Sequence, residues 1–214
     1  MILDEEIHDI VKGFFEAKVF QMSISPLFQL AGGKQVPVSI NYRKIFSHPL
    51  LRKKVITKWA YMLKDAFPAF FQRGHLVFAG TAAAGIAPAY ALAEFFGSGF
   101  VYVNEKENGF CCSIEGSLPS SAQVIVVDDM VTTASGVIHA VEMIKRESPQ
   151  AIMVSSLSSH HLKKAHEALA SQNLVFKSLF YTTDVLDIAY AKSFITGREM
   201  KMIMEWLNQL DDEG

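Results

Sequence analysis

The chain has 214 residues, half of them hydrophobic, and a formal net charge of −2. That length suits one domain of ordinary size with a full core. No basic excess points to nucleic acid and no apolar run approaches bilayer length, so neither a nucleic-acid partner nor a membrane is expected.

The opening stretch, MILDEEIHDIVKGFFEAKVF, is acidic where a secretory or organellar leader would be basic. It predicts an amphipathic helix with Ile7, Ile10, Val11, Phe14 and Phe15 on one face. Residues 25–49 are rich in Gly, Pro and Ser and predict a short β-ribbon and turns, and LLRKKVITKWAYMLKDAF then predicts a long helix. From residue 75 the pattern alternates. HLVFAG (75–80) predicts a buried strand, AGIAPAYALAEFFG (84–97) a helix closed by Gly97, and GFVYV a second strand. A polar loop from Asn104 to Ser113 follows. QVIVVDD predicts a strand, SGVIHAVEMIKRE a helix, AIMVSSL a strand, LKKAHEALASQ a helix and LVFKSLF a last strand. A helical pair closes the chain, 184–192 and about 196–209, with Thr196 as the cap of the second.

Strands alternating with helices, several of them apolar on both faces, predict an α/β fold with a parallel twisted sheet flanked by helices. A single domain over 1–214 is expected. It comprises an N-terminal helix and hood-like segment (1–50), an α/β core (51–183) and C-terminal helices (184–214), with 1–50 as a small N-terminal lobe. The two cysteines, Cys111 and Cys112, are adjacent, and a bridge between neighbours is badly strained. Two free thiols suit a reducing compartment and predict a cytoplasmic protein. His160, His161 and His166 do not combine with them at zinc-ligand spacing, so solvated surface histidines are expected.

The chemistry concentrates in VIVVDDMVTTASGVIHA, residues 124–140. In open α/β sheets, ligands bind beyond the carboxyl ends of the strands, where Asp128 and Asp129 are predicted to stand. Small residues at 134–136 let the backbone approach a ligand, and the first N–H groups of the next helix favour an anion. Thr132, Thr133 and Ser135 add hydroxyl donors. A phosphate in that cradle leaves the two carboxylates free to accept hydrogen bonds from ribose hydroxyls. For a generic acid pair, an ordinary strand-to-helix turn with Asp and Ser as caps is the competing reading. The stretch is neither a Walker loop nor a GxGxxG fingerprint.

The full string is four hydrophobics, two acids, two hydrophobics, then Thr-Thr-small-Ser-small. It resembles the phosphoribosyl-diphosphate signature of the type I phosphoribosyltransferases. Within that superfamily the chain is most similar to the orotate phosphoribosyltransferases. FAGTAAAGIAPAYALAEFFG resembles their diphosphate-binding turn, and FQLAGGKQVPVSINYRKIFSHPLLRKKV their N-terminal segment; SIEG and FITGREMKMIMEWL also match. The resemblance implies a homodimer using Mg2+ that converts orotate and phosphoribosyl diphosphate to orotidine 5′-phosphate and diphosphate, in pyrimidine biosynthesis. It implies that Asp128 and Asp129 grip the ribose and that Thr132, Thr133, Ala134, Ser135 and Gly136 anchor the 5′-phosphate. Thr81, Ala82, Ala83, Ala84 and Gly85 would take the diphosphate. It implies no metal ligand from the protein. A Met- and Phe-rich stripe at 194–206 is a candidate interface, with core as the commoner outcome for such a stripe.

The chain departs from the family at four places. The mobile loop that resembles R-K-x-x-K-x-H-G elsewhere is NEKENGFCCS here, two residues shorter, with Asn104 and Glu105 replacing the Arg-Lys pair. Lys106 is the only cation left in that stretch and, as the remnant of the family's loop cations, a candidate catalytic residue. In the N-terminal segment Ala31 replaces a lysine and Val36-Pro37 a Ser-Pro pair, with Lys34 and Arg43 as candidate anion-binding charges; Arg43 reads equally well as a structural ion-pair partner. Ala134 replaces a glycine, which suits a negative φ and clashes otherwise. AIMVSSL runs into Ser158, Ser159 and His160, with no arginine to meet a base. Three readings stay open: an orotate phosphoribosyltransferase, a phosphoribosyltransferase for another base, and a non-catalytic sensor that binds phosphoribosyl diphosphate or a nucleotide.

Overall fold

The structure, a computed structural model, describes residues 5–29, 33–72, 74–104 and 113–212. In chain order the elements are α1 (Glu5–Glu16), β1 (Phe20–Met22), β2 (Phe28–Gln29), β3 (Gln35–Val36), β4 (Val38–Ile40), α2 (Pro49–Ala66), β5 (His75–Thr81), α3 (Ile86–Phe96) and β6 (Gly99–Asn104). They continue with β7 (Ser113–Glu115), β8 (Ala122–Val131), α4 (Ser135–Lys145), β9 (Ala151–Ser159), α5 (Lys163–Ser171), β10 (Val175–Tyr181), α6 (Thr182–Ala191) and α7 (Gly197–Asp212). The chain divides into two units, residues 1–55 with 180–214, and residues 56–179.

The second unit is built on the sheet, whose strand order is β10-β9-β8-β5-β6-β7. β5 pairs in parallel with both β6 and β8, and β8 in parallel with β9. This is the predicted α/β sheet, with one difference. β7, not foreseen as a strand, pairs antiparallel to β6 at the edge, joining Tyr102 to Glu115 and Asn104 to Ser113. An edge strand reached by a short return can run antiparallel, which a helical crossover does not allow. β8 lies between β5 and β9, which explains its uninterrupted apolar run: Val124, Ile125, Val126 and Val127 are all fully buried.

β9 is less apolar than its position suggests, since Ser155, Ser156, Ser158 and Ser159 are buried. Buried hydroxyls need partners. Trp59 of α2 donates its Nε1–H to Ser155 Oγ at 2.8 Å, and Ser155 donates to the carbonyl of Lys177 at 2.8 Å. Ser156 and Ser178 bond each other at 3.0 Å. α3 ends as its sequence predicts. Gly97 is left-handed (φ 59°), and Ser98 N–H donates to Ala93 O at 3.0 Å. The helix starts at Ile86 rather than Ala84, because residues 81–85 form a turn of their own.

The first unit gathers the two ends of the chain. On α1, Ile10, Val11 and Phe14 are buried as the predicted face requires, and Phe14 meets Tyr42 and Phe180 edge-on at 5.5 and 5.4 Å. Phe15 stacks on Phe194 at 5.2 Å. The predicted ribbon is present as two small antiparallel pairs, β1 with β4 and β2 with β3. Ile195 and Ile203 of the 194–206 stripe are buried in this unit, while Phe194, Met200, Met202 and Met204 are half-buried.

Thr196 caps α7 as expected, in a reciprocal box. Its Oγ1 accepts from Glu199 N–H at 3.2 Å, while Glu199 Oε2 accepts from Thr196 N–H at 2.7 Å. Thr196→Ala is expected to cost about 1 kcal/mol in denaturant unfolding. A cost close to zero would mean that the box contributes nothing to α7.

Candidate active site

The residues singled out in 124–140 lie at the carboxyl end of β8, in the second unit. The strand runs two residues beyond the predicted end, through Val131, so the acids sit inside its last turnout and not at its final residue. In the parallel register Asp128 pairs with Ser156 and Met130 with Ser158. Asp128 Oδ1 accepts the backbone N–H of Asp129 at 2.9 Å. Burial pushes the Asp128 carboxyl up to about 7, against a hydrogen bond from Thr81 that lowers it, and the neighbouring Asp129 charge adds to the rise.

Thr81 is the residue whose part the sequence did not disclose. It was expected to serve the diphosphate, yet its hydroxyl also donates to Val127 O at 3.3 Å and lies near enough to Asp128 to lower that carboxyl's pKa. Thr81 thereby links the turn after β5 to the acid pair on β8, its neighbour in the sheet. No spacing in the sequence signals that link, since it depends on which strands lie side by side.

The 81–85 turn is tight. Gly85 N–H donates to Thr81 O at 2.9 Å, Ala82 N–H to Val103 O at 3.0 Å, and the Ala82–Ala83 peptide is cis. Two glycines make room for it. A Cβ on Gly80 would lie 2.7 Å from Gly85 O and 2.8 Å from Ile86 Cα. A Cβ on Gly85 would run into Val127 O and into Thr81, whose nitrogen it would approach to 2.7 Å. Gly85 has φ −78°, so proximity, and not backbone conformation, demands glycine there.

Beyond the acids, residues 130–137 and Asp128 enclose a small pocket of about 90 Å³. Thr133 Oγ1 and Ser135 Oγ lie 3.2 Å apart on its rim, and α4 starts at Ser135. The first N–H groups of a helix have no intrahelical acceptor, which suits this end to an anion. Ala134 stands immediately before the helix with φ 67° and ψ 0°, in the left-handed region. The alanine is therefore in the conformation for which the sequence foresaw a clash. Ala134→Gly is expected to stabilise the protein by about 1 kcal/mol, the left-handed cost exceeding the extra entropy of an unfolded glycine. Denaturant unfolding checks this, and a loss of stability would show that the surroundings relieve the strain.

The candidate residues are thus brought together in part. Asp128, Asp129, Thr132 to Gly136 and Thr81 to Gly85 all belong to the second unit. Lys34 and Arg43 belong to the first, where both are exposed and Arg43 Nε–H donates to Asn41 Oδ1 at 3.1 Å. Lys106, Ala31, Glu105 and both cysteines lie outside the described residues. Of the three histidines expected at the surface, His160 is instead buried, which pushes its imidazole down to about 4 and leaves it neutral. Among the described residues no group of three or more His, Cys, Asp and Glu could hold a metal ion.

No protein-family profile matches the chain. It is 25% identical over 207 residues to an orotate phosphoribosyltransferase of Enterococcus faecalis, covering 96% of each chain. Its fold matches the orotate phosphoribosyltransferase of Aeropyrum pernix with a TM-score of 0.70 at 20% identity, over 87% of this chain and 99% of the other. The chain has the type I phosphoribosyltransferase fold. A Leishmania donovani UMP synthase matches with a TM-score of 0.77 at 18% identity over 94% of this chain, which spans 42% of that longer chain's length. Phosphoribosyltransferases are glycosyltransferases, and the chain carries the fold and the sequence likeness of that enzyme class. Among the described residues, no helix of this phosphoribosyltransferase-like chain is long and apolar enough to cross a membrane.

Proposed function

We propose that the chain transfers the phosphoribosyl group of phosphoribosyl diphosphate to orotate, giving orotidine 5′-phosphate and diphosphate, a step of pyrimidine synthesis. The observation that carries this reading is the acid pair Asp128–Asp129 standing beside an anion-sized pocket at the start of α4. The likeness to orotate phosphoribosyltransferases over nearly the whole chain supports the choice of base.

The proposed roles follow from where charge develops. Breaking the bond at the anomeric carbon builds positive charge on the ribose and negative charge on the departing diphosphate. Asp128 and Asp129 accept hydrogen bonds from the ribose hydroxyls and favour the cationic ring. Thr132, Thr133, Ser135 and the N–H groups opening α4 hold the 5′-phosphate. Ala134 and Gly136 keep that cradle free of bulk. The backbone of Thr81, Ala82, Ala83, Ala84 and Gly85 receives the diphosphate, and Lys106, Lys34 and Arg43 are the proposed cations for it. Magnesium would be carried by the substrate's own oxygens, with no ligand proposed from the protein, since it usually keeps few protein ligands and binds with substrate phosphates. When bound it would neutralise diphosphate charge.

We further propose a cytoplasmic homodimer. Exposed aromatic side chains on the second unit, Tyr61, Tyr90 and Phe95, support self-association, because aromatic residues concentrate in the buried centres of interfaces. A second reading, binding without turnover, is favoured by the loop sequence, in which Asn104 and Glu105 stand where the family has cations.

One experiment separates the two. The protein is mixed with orotate, phosphoribosyl diphosphate and magnesium, and loss of orotate absorbance is followed beside an Asp128→Asn, Asp129→Asn double variant. Turnover that the double variant lacks is the expected result. Calorimetric binding of phosphoribosyl diphosphate with no turnover would leave the sensor, and turnover untouched by the double variant would overturn the roles given to the acids.

A further inference from the structure

A cleft lies at the opposite end of the sheet from the acid pair. It has a volume of about 570 Å³ and is formed where β5 and β6 begin, below the last turns of α2 and α3, wholly within the second unit. β5 joins the two ends. His75 at its start lines the cleft, and Thr81 at its finish contacts the acid strand. Seven residues at about 3.3 Å each put roughly 20 Å between them, too far for one small substrate to occupy both places.

The walls of the cleft are aromatic. Phe70, Phe71 and Phe96 line it, with Phe71 and Phe96 ring centroids 4.7 Å apart and Phe96 stacked in turn on the buried Phe78 at 5.7 Å. Its polar side chains include one lysine cation. Lys64 stands in the last turn of α2 with no ion-pair partner among the described residues, and Gln72 adds an amide. The His75 ring has Nδ1 engaged with Ser121 Oγ at 3.2 Å, which leaves Nε2 as its remaining polar atom. No aspartate or glutamate is among the described residues that line it. A volume in the range of small-molecule pockets, aromatic walls and an unpaired cation without a counter-charge define one class of ligand. We propose that this cleft is a second binding site, for a small planar aromatic anion, separate from the sugar-phosphate site.

Anilinonaphthalene sulfonate is a suitable probe, titrated by fluorescence against the full chain, with uncharged phenylnaphthylamine as its comparison. Saturable binding at one site per chain is expected, unchanged when saturating magnesium diphosphate is present. The uncharged probe and the Lys64→Gln variant should each weaken binding by about tenfold, the worth of one charge-assisted contact. Lys64 is exposed, so an unaltered melting temperature of the variant checks that the fold is intact. Equal affinity for both probes, no effect of Lys64→Gln, competition by diphosphate, or no saturable binding at millimolar probe would each overturn the proposal. None of these results depends on whether the chain turns over orotate.

Discussion

Asp128→Asn is expected to remove most of the turnover while making the protein more stable above neutral pH. The carboxyl is pushed up to about 7 in the fold against an ordinary value of 3.8, and the first cause is burial. The consequence for stability has a definite sign. Below pH 4 the group is protonated whether the chain is folded or not. Between about 4 and 7 only the folded state keeps the proton, so stability falls as pH rises, and the loss is complete above 7. Asparagine carries no charge to bury and should recover part of that loss, a few kcal/mol in order of magnitude. Activity should move the opposite way. If the ionised acid grips the ribose, turnover rises with pH through about 7 and the asparagine variant loses that limb. Losing one or two charge-assisted contacts, each roughly 1.5–3 kcal/mol, lowers the rate by about ten- to ten-thousand-fold. Unfolding and rate profiles measured from pH 5 to 9 check both halves. A variant that is no more stable at pH 8, or that keeps the wild-type pH profile, would contradict the account given for Asp128.

Gly85→Ala should be the most damaging single methyl in the second unit. The added carbon meets Val127 O and the Thr81 backbone, and neither can retreat without breaking the contact between β5 and β8. Overpacking of this kind costs about 3 kcal/mol, which for a chain of this size lowers the melting temperature by roughly 6–12 °C. The same methyl shifts the turn proposed for the diphosphate, so affinity for phosphoribosyl diphosphate should fall as well. Gly97→Ala is the control. Gly97 is left-handed with nothing within 4 Å of its Cβ position, so only the backbone penalty of about 1 kcal/mol applies. If the two alanine variants melt together, close approach is not why residue 85 is glycine.

The sequence was most legible where a local signal and the tertiary setting agree. The apolar run 124–127 marked a strand buried on both faces, Gly97 marked the end of α3, and Thr196 with Glu199 marked the start of α7. The acid pair and the hydroxyl turn were legible as a candidate site because strand, acids, small residues and helix are contiguous. The pattern was less legible in β9. Serines 155, 156, 158 and 159 could belong to a solvated strand, and only the partners Trp59, Lys177 and Ser178 show how the hydroxyls of Ser155 and Ser156 are buried there. β7 was missed because three residues carry too little periodicity to stand out from a polar loop.

What the amino-acid order determined by itself is the series of strands and helices and the short constellation at the end of β8, since hydrophobic period, caps and turn residues act over a few positions. Three things were decided only in the folded chain. The N-terminal 55 residues and residues 180–214 form one unit because Phe14 meets Phe180 and Phe15 meets Phe194, contacts between residues more than 160 positions apart. Ala134 takes a left-handed conformation because β8 must turn directly into α4, a demand that the loop's own residues do not announce. The raised carboxyl of Asp128 comes from burial, partly offset by Thr81, which reaches it only because β5 lies beside β8 in the sheet. Local chemistry marks where a ligand can be held. The strength and protonation of that grip depend on burial and on neighbours distant in sequence, and these exist only once the sheet has formed.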